Sequence, residues 1–178
     1  MSKLFTTLTD YMVAQQIIPA EDQAIYQYGL QQGFVLLLNI LTILALGLLN
    51  HMLLESVVFL LAYTPLRTFA GGFHARTQLR CYFGGIVLTQ AVLLAMRWIP
   101  HTSVVLTLLG LAAFFIIFAL SPDADANKPL TLKERNVYRR KAHALLIGLS
   151  AVAAVLYALH FSALSAAVVI SLDALAIM

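Results

Sequence analysis

Six apolar segments, running approximately Gly33–Asn50, Ser56–Leu66, Tyr82–Met96, Ser103–Leu120, Ala142–His160 and Ser162–Ile177, take up most of this chain. Asp173 is the one Asp, Glu, Lys or Arg inside them. A backbone in hydrocarbon must satisfy its own N–H and C=O groups, which leaves helices or a closed barrel. Segments of this length suit helices, since a full span takes ~20 residues and a barrel strand only about ten. The second segment is short and can lengthen by extending back through His51–Glu55. The fifth and sixth meet at His160–Phe161, which predicts a tight helical hairpin. Composition agrees: 61% of residues are hydrophobic and 11% charged, with a mean hydropathy of +0.89. A soluble domain of this size would need far more polar surface. The expected fold is all-α, a polytopic transmembrane helical bundle of about six membrane segments. Residues 1–178 are expected to form a single integral membrane domain.

Within that domain, residues 1–32 read as an amphipathic N-terminal region and 33–178 as the bundle. Over Ser2–Ile18, Leu4, Leu8, Tyr11 and Ile18 fall near one helical face, with Phe5 and Met12 alongside. Thr6, Thr9, Asp10 and Gln16 fall elsewhere. This pattern predicts a helix lying at the membrane interface, or packed on the bundle, that stops at Pro19. The stretch lacks the basic start, apolar core and small-residue site of a cleavable signal peptide.

Positive charge then orients the bundle. With the amino terminus in the cytoplasm and six crossings, the inside segments hold Lys3; Arg67, Arg76 and Arg80; and Lys128, Lys133, Arg135, Arg139, Arg140 and Lys141. Of the 11 Lys and Arg residues, only Arg97 is left outside. That sorting predicts six helices with both termini inside. A four-span arrangement with the second and third segments re-entrant is the alternative. Lys and Arg sorted in this way report topology, and no aromatic–basic interleaving points to nucleic acid.

The chemistry concentrates in Arg67–Cys81, which holds the sole cysteine and, seven residues earlier, His74. A thiolate is a nucleophile, and a nearby imidazole can take its proton and return it to a leaving amine. Along a straight helix seven residues rise ~10 Å, against the ~3 Å of a hydrogen bond. A working pair therefore requires a bend between them. Gly71 and Gly72 supply backbone freedom just upstream. Cys81 would then open the third span, at the positive end of its helix dipole and beside Arg76 or Arg80. The plainer reading makes Cys81 a small packing residue and His74 a satisfied polar group. A zinc site would need further ligands, with His143 a candidate third. Neither His-Glu-x-x-His nor Gly-x-Ser-x-Gly is present, and no metal or cofactor is expected.

The run Arg67-x-x-Ala-Gly-Gly-x-His-Ala75, with Cys81 following, resembles the signature of the accessory gene regulator protein B (AgrB) family. Those proteins are membrane cysteine endopeptidases of bacterial quorum sensing. The stretch Ser121-Pro-Asp-Ala-Asp-Ala-Asn-Lys-Pro-Leu130 is similar to a second element of that family, and Tyr26-x-Tyr-Gly29 to a weaker third. The resemblance extends in order over nearly the whole chain. It implies a catalytic pair of His74 and Cys81, with Arg67, Gly71 and Gly72 shaping the site. It implies an AgrD-like precursor peptide as partner, with an amphipathic leader, a signal segment and an acidic tail. Cleavage would leave an acyl-enzyme on Cys81, resolved into a cyclic thiolactone or lactone. It also implies a bacterial cytoplasmic membrane, a site facing the cytoplasm, and contact with the lipid bilayer. A homodimer is compatible with it.

No third catalytic residue comes with the motif. Asp123 and Asn127 could orient the imidazole, or cap the turn before the basic helix. Lys128, Arg139, Arg140 and Lys141 belong to a basic segment that could set topology, dock the acidic tail, or both. A non-enzymatic exporter of the signal peptide and a zinc-dependent membrane hydrolase are the competing functions.

Overall fold

The computed structural model describes residues 2–71, 78–122 and 132–178. Those residues form seven α helices and no strand: α1 (Ser2–Ala14), α2 (Gln23–Leu49), α3 (Leu53–Ala70), α4 (Gln78–Trp98), α5 (Ser103–Leu120), α6 (Leu132–Ala158) and α7 (Ser162–Ala176). Five stretches are long and apolar enough to cross a membrane: Ala20–Leu49, Leu53–Ala70, Leu79–Trp98, Ser103–Leu120 and Lys133–Ala158. The apolar α7 is shorter. The result is a polytopic helical membrane bundle. α3 and α4, the segments that a four-span arrangement would make re-entrant, are continuous helices of 18 and 21 residues.

The chain divides into two compact units, 1–42 and 43–178. In the first, α1 folds onto the start of α2. Phe5 meets Phe34 edge to face at 5.8 Å. The Gln27 amide donates to the Thr6 hydroxyl at 2.9 Å, and that of Gln23 to Asp10 at 2.5 Å. Leu4, Leu8 and Tyr11 stay exposed while Phe5 and Ile18 are buried. The apolar stripe expected from the sequence is therefore split between packing and an outward face. Thr9, placed on the polar side by the sequence pattern, is fully buried. Its hydroxyl donates to the Phe5 carbonyl at 3.0 Å, so the polar atom is satisfied within its own helix. The glutamines that pair with α1 also let α2 begin ten residues before the expected Gly33.

The second unit is organised around α7, on which α3, α4, α5 and α6 all pack. Hydrophobicity does not drive helices together inside lipid, so close approach and hydrogen bonds must do so. α7 is built for both. It buries an unbroken run from Ser165 to Leu172 containing Ala166, Ala167 and Ser171. The Ser165 hydroxyl donates across to the Ala153 carbonyl of α6 at 2.8 Å. At 15 residues α7 rises about 22 Å, short of the ~30 Å core, and its protein neighbours rather than lipid surround it. Larger side chains fill the space around it, with Phe59, Leu66, Leu93, Met96 and Leu146 almost wholly buried. The α2–α3 turn is closed by Gly47, where an added Cβ would stand 2.2 Å from the Ser56 hydroxyl. The expected α6–α7 hairpin is present, turning through His160 at φ 64°.

Candidate active site

Arg67 lies in the last turn of α3, and the helix ends where Gly71 takes φ 84° and ψ −154°. The Gly71 N–H still donates to the Arg67 carbonyl at 3.1 Å. A side chain is strained at that φ, so glycine is needed here for the chain to leave the helix toward the motif. Gly72 and His74 lie outside the described residues, as do Arg76, Asp123, Asn127 and Lys128.

Cys81 stands in the first turn of α4, half-buried and free of any disulfide. Tyr63 is held by Arg67. The guanidinium donates to the Tyr63 oxygen, and its carbon lies 5.6 Å from the ring centroid. Both groups reach the same sulfur. The Tyr63 hydroxyl is 2.8 Å and the Arg67 nitrogen 3.3 Å from Sδ of Met178. Phe59 stacks on the other side of Tyr63, with ring centroids 5.0 Å apart. Arg67 thus bridges the end of α3 to the chain just past α7.

The basic half of α6 reaches the same end of α3. Tyr138 meets Phe69 edge to face at 5.7 Å, and the Lys141 ammonium lies 5.0 Å from the Phe69 ring centroid. Phe69 is two residues from Gly71, so Lys141 is brought beside the motif. Arg139 and Arg140 are exposed on the same helix. His143, the candidate third zinc ligand, stacks on Phe118 at 4.1 Å and places Nε2 3.1 Å from its carbonyl. That oxygen can only accept, so the contact puts a proton on Nε2. Among the described residues no three His, Cys, Asp or Glu side chains gather as metal ligands.

Of the residues singled out from the sequence, Arg67 and Gly71 lie at the end of α3 with Lys141 against Phe69 beside them, and Cys81 lies in the first turn of α4. The structure adds Tyr63 and Met178, which sequence reasoning missed. Tyr63 had a usable signal, one helical turn before Arg67 and therefore on the same face. Met178 had none, because its contact with Arg67 spans 111 residues of chain. The described residues offer a free thiol in the first turn of α4, a guanidinium fixed at the end of α3, and a basic helix beside it. Such a set suits attack on a carbonyl that arrives at the end of the bundle.

Comparison with known proteins places this arrangement. The family described as "Accessory gene regulator B" matches residues 5–178. The chain is 26% identical over 128 residues to an AgrB-like protein of Clostridium perfringens (strain SM101 / Type A), covering 68% of this chain and 60% of that one. It is 30% identical over 125 residues to the accessory gene regulator protein B of Staphylococcus lugdunensis, covering 68% and 63%. The matches span about three fifths of the length of these curated relatives. No solved structure is significantly similar.

Proposed function

Because this chain belongs to the accessory gene regulator B family, we propose that it is a membrane cysteine endopeptidase that processes a precursor peptide in quorum sensing. Cys81 is the nucleophile and His74 the base. What supports this reading is a sole cysteine, half-buried and free of a disulfide in the first turn of α4, together with a motif arginine fixed by Tyr63 and Met178 at the end of α3.

In this mechanism His74 takes the Cys81 proton and the thiolate attacks the carbonyl joining the signal segment to the acidic tail. The tetrahedral adduct collapses, the C–N bond breaks, and His74 protonates the departing amine. The signal segment remains as a thioester on Cys81. A thiol or hydroxyl within that segment then attacks the thioester. This step forms a thiolactone or lactone ring and returns the thiol to Cys81. Arg67 shapes the site by fixing Tyr63 and the chain just past α7, and Gly71 and Gly72 supply the backbone freedom that the approach to His74 requires. Asp123 or Asn127 orients His74, and Lys128, Arg139, Arg140 and Lys141 meet the acidic tail. The site faces the cytoplasm from the bacterial cytoplasmic membrane, with an AgrD-like peptide as partner.

The test is cleavage of such a precursor by the full chain in proteoliposomes. Cys81→Ala and His74→Ala each abolish cleavage while the protein still inserts and accumulates, and Cys81→Ser keeps at most a trace. Hydroxylamine added during turnover intercepts the thioester and releases the signal segment as a hydroxamate. Full activity in Cys81→Ala would end the peptidase reading.

A further inference from the structure

α5, α6 and α7 line a groove of about 360 Å³, open on one side where Ser103, Thr107, Leu111 and Ala154 are exposed. Its walls include Leu111, Phe114, Ala154 and Val169, and Ser103 and Tyr157 line it near the helix ends. No charged side chain lines it. The deeper serines are internally satisfied: Ser150 and Ser165 donate to the Leu146 and Ala153 carbonyls at 2.8 Å. What remains is an apolar slot with hydroxyls at one end.

Its dimensions suggest what fills it. Along α5 the lining runs from Ser103 to Phe114, about 16 Å at the helical rise. That is roughly half of the ~30 Å hydrocarbon core, the depth of a single leaflet. The hydroxyl end lies at the first residue of α5 and the last turn of α6. Trp98, 79% exposed, ends the preceding helix there, and aromatic residues favour the headgroup level. α5 and α6, though not the buried α7, leave most of their spanning windows outside the protein core, with only 17% of each buried, so the slot opens toward the side that lipid covers. A void of this volume is in the range of ligand sites, and hydrocarbon is the medium available to fill it.

We propose that this groove is a phospholipid site holding one acyl chain of the leaflet that the start of α5 and the end of α6 reach. The chain lies along Leu111, Phe114 and Val169, and the ester region meets Ser103 and Tyr157. Occupancy would brace α7, whose inner end carries the Met178 contact to Arg67.

The probe is dioleoyl phosphatidylglycerol, added to the delipidated full chain and counted by native mass spectrometry after a detergent wash. The wild type retains one molecule per chain. Ala154→Phe and, from the facing helix, Thr107→Phe fill the slot. A side chain displacing even two methylenes weakens retention roughly tenfold. Val87→Phe, on an exposed part of α4 outside the groove, retains lipid like the wild type. Far-ultraviolet circular dichroism identifies a variant that has not folded, and the other filled variant then carries the test. The proposal is overturned if the wild type retains no lipid or if a folded filled variant retains it unchanged. It is equally overturned if Val87→Phe loses lipid as well, or if free oleate is retained and the phospholipid is not.

Discussion

The two ends of the 43–178 unit are built differently. At the end carrying the α2–α3, α4–α5 and α6–α7 turns, polar groups close the turns themselves. Asn50 and Gln90 exchange amide hydrogen bonds at 3.2 and 3.3 Å. The His101 ring contacts the Met96 carbonyl at 2.7 Å, and Thr102 caps α5 by accepting from the Val105 N–H. At the other end lie Arg67, Gly71, Cys81 and Lys141. There Arg67 reaches a tyrosine and a methionine sulfur, and the α6 lysines and arginines stay exposed. Short connections hold helices in register. The opposite end instead presents a fixed guanidinium, a free thiol and exposed basic side chains, groups with chemical use beyond closing a turn.

The sharpest way to break this comparison is to ask which side of the membrane each end occupies. In a Cys81-free background, cysteines placed at Thr77 and Asn127 should be labelled from the cytoplasm only, and one at Thr102 from outside only. The expected result is all or none. External labelling at Thr77 would remove the six-span topology and, with it, a cytoplasmic site.

Arg67→Lys comes next. A lysine keeps the charge but loses the planar guanidinium that lies over the Tyr63 ring while one of its nitrogens meets both Tyr63 and Met178. Loss of a charged hydrogen bond worth ~1.5–3 kcal/mol corresponds to ~10–100-fold in kcat/KM. Arg97→Lys, at the turn end, should leave cleavage unchanged. Equal effects at the two positions would mean that Arg67 is not special to the site.

A smaller loss is expected from Gly71→Ala, since a side chain held at φ 84° costs about 1–3 kcal/mol. The readout is a fall in thermal unfolding temperature together with reduced cleavage. A variant as stable and active as the wild type would show that the motif end relaxes freely around that position.

The mildest change is Arg139, Arg140 and Lys141 to Gln. Exposed pairs contribute ~0–1 kcal/mol each, so KM for an acidic-tailed precursor should rise several-fold while kcat changes little. The difference should shrink as salt increases. A precursor with a neutral tail should not distinguish the triple variant from the wild type. If the variant handles the acidic precursor normally at low salt, these three residues set topology and do not dock the tail.

Much of the fold was legible because lipid imposes a simple rule. Apolar runs become helices, and the expected Ser103–Leu120 segment matches α5 end for end. The bounds of α2 and α6 were less legible. Both extend about ten residues beyond their apolar runs, since Gln23 and Gln27 pair with α1 and Tyr138 and Lys141 rest on Phe69. A hydropathy pattern registers only the apolar part of such a helix, not the polar turns that another helix supports.

For the candidate site, the sequence by itself determined which residues carry chemical possibility: one cysteine, a histidine seven residues before it, and glycines where the chain must turn. These follow from covalent identity and backbone sterics, which are local. It also determined the helical class, because each helix satisfies its own backbone. Only the tertiary structure decided that Met178 meets Arg67, that Lys141 sits beside the motif helix, and that α7 lies at the centre of its unit. Those contacts join segments far apart in the chain, and helix packing inside lipid depends on shape and paired hydrogen bonds. Neither leaves a periodic trace in the sequence.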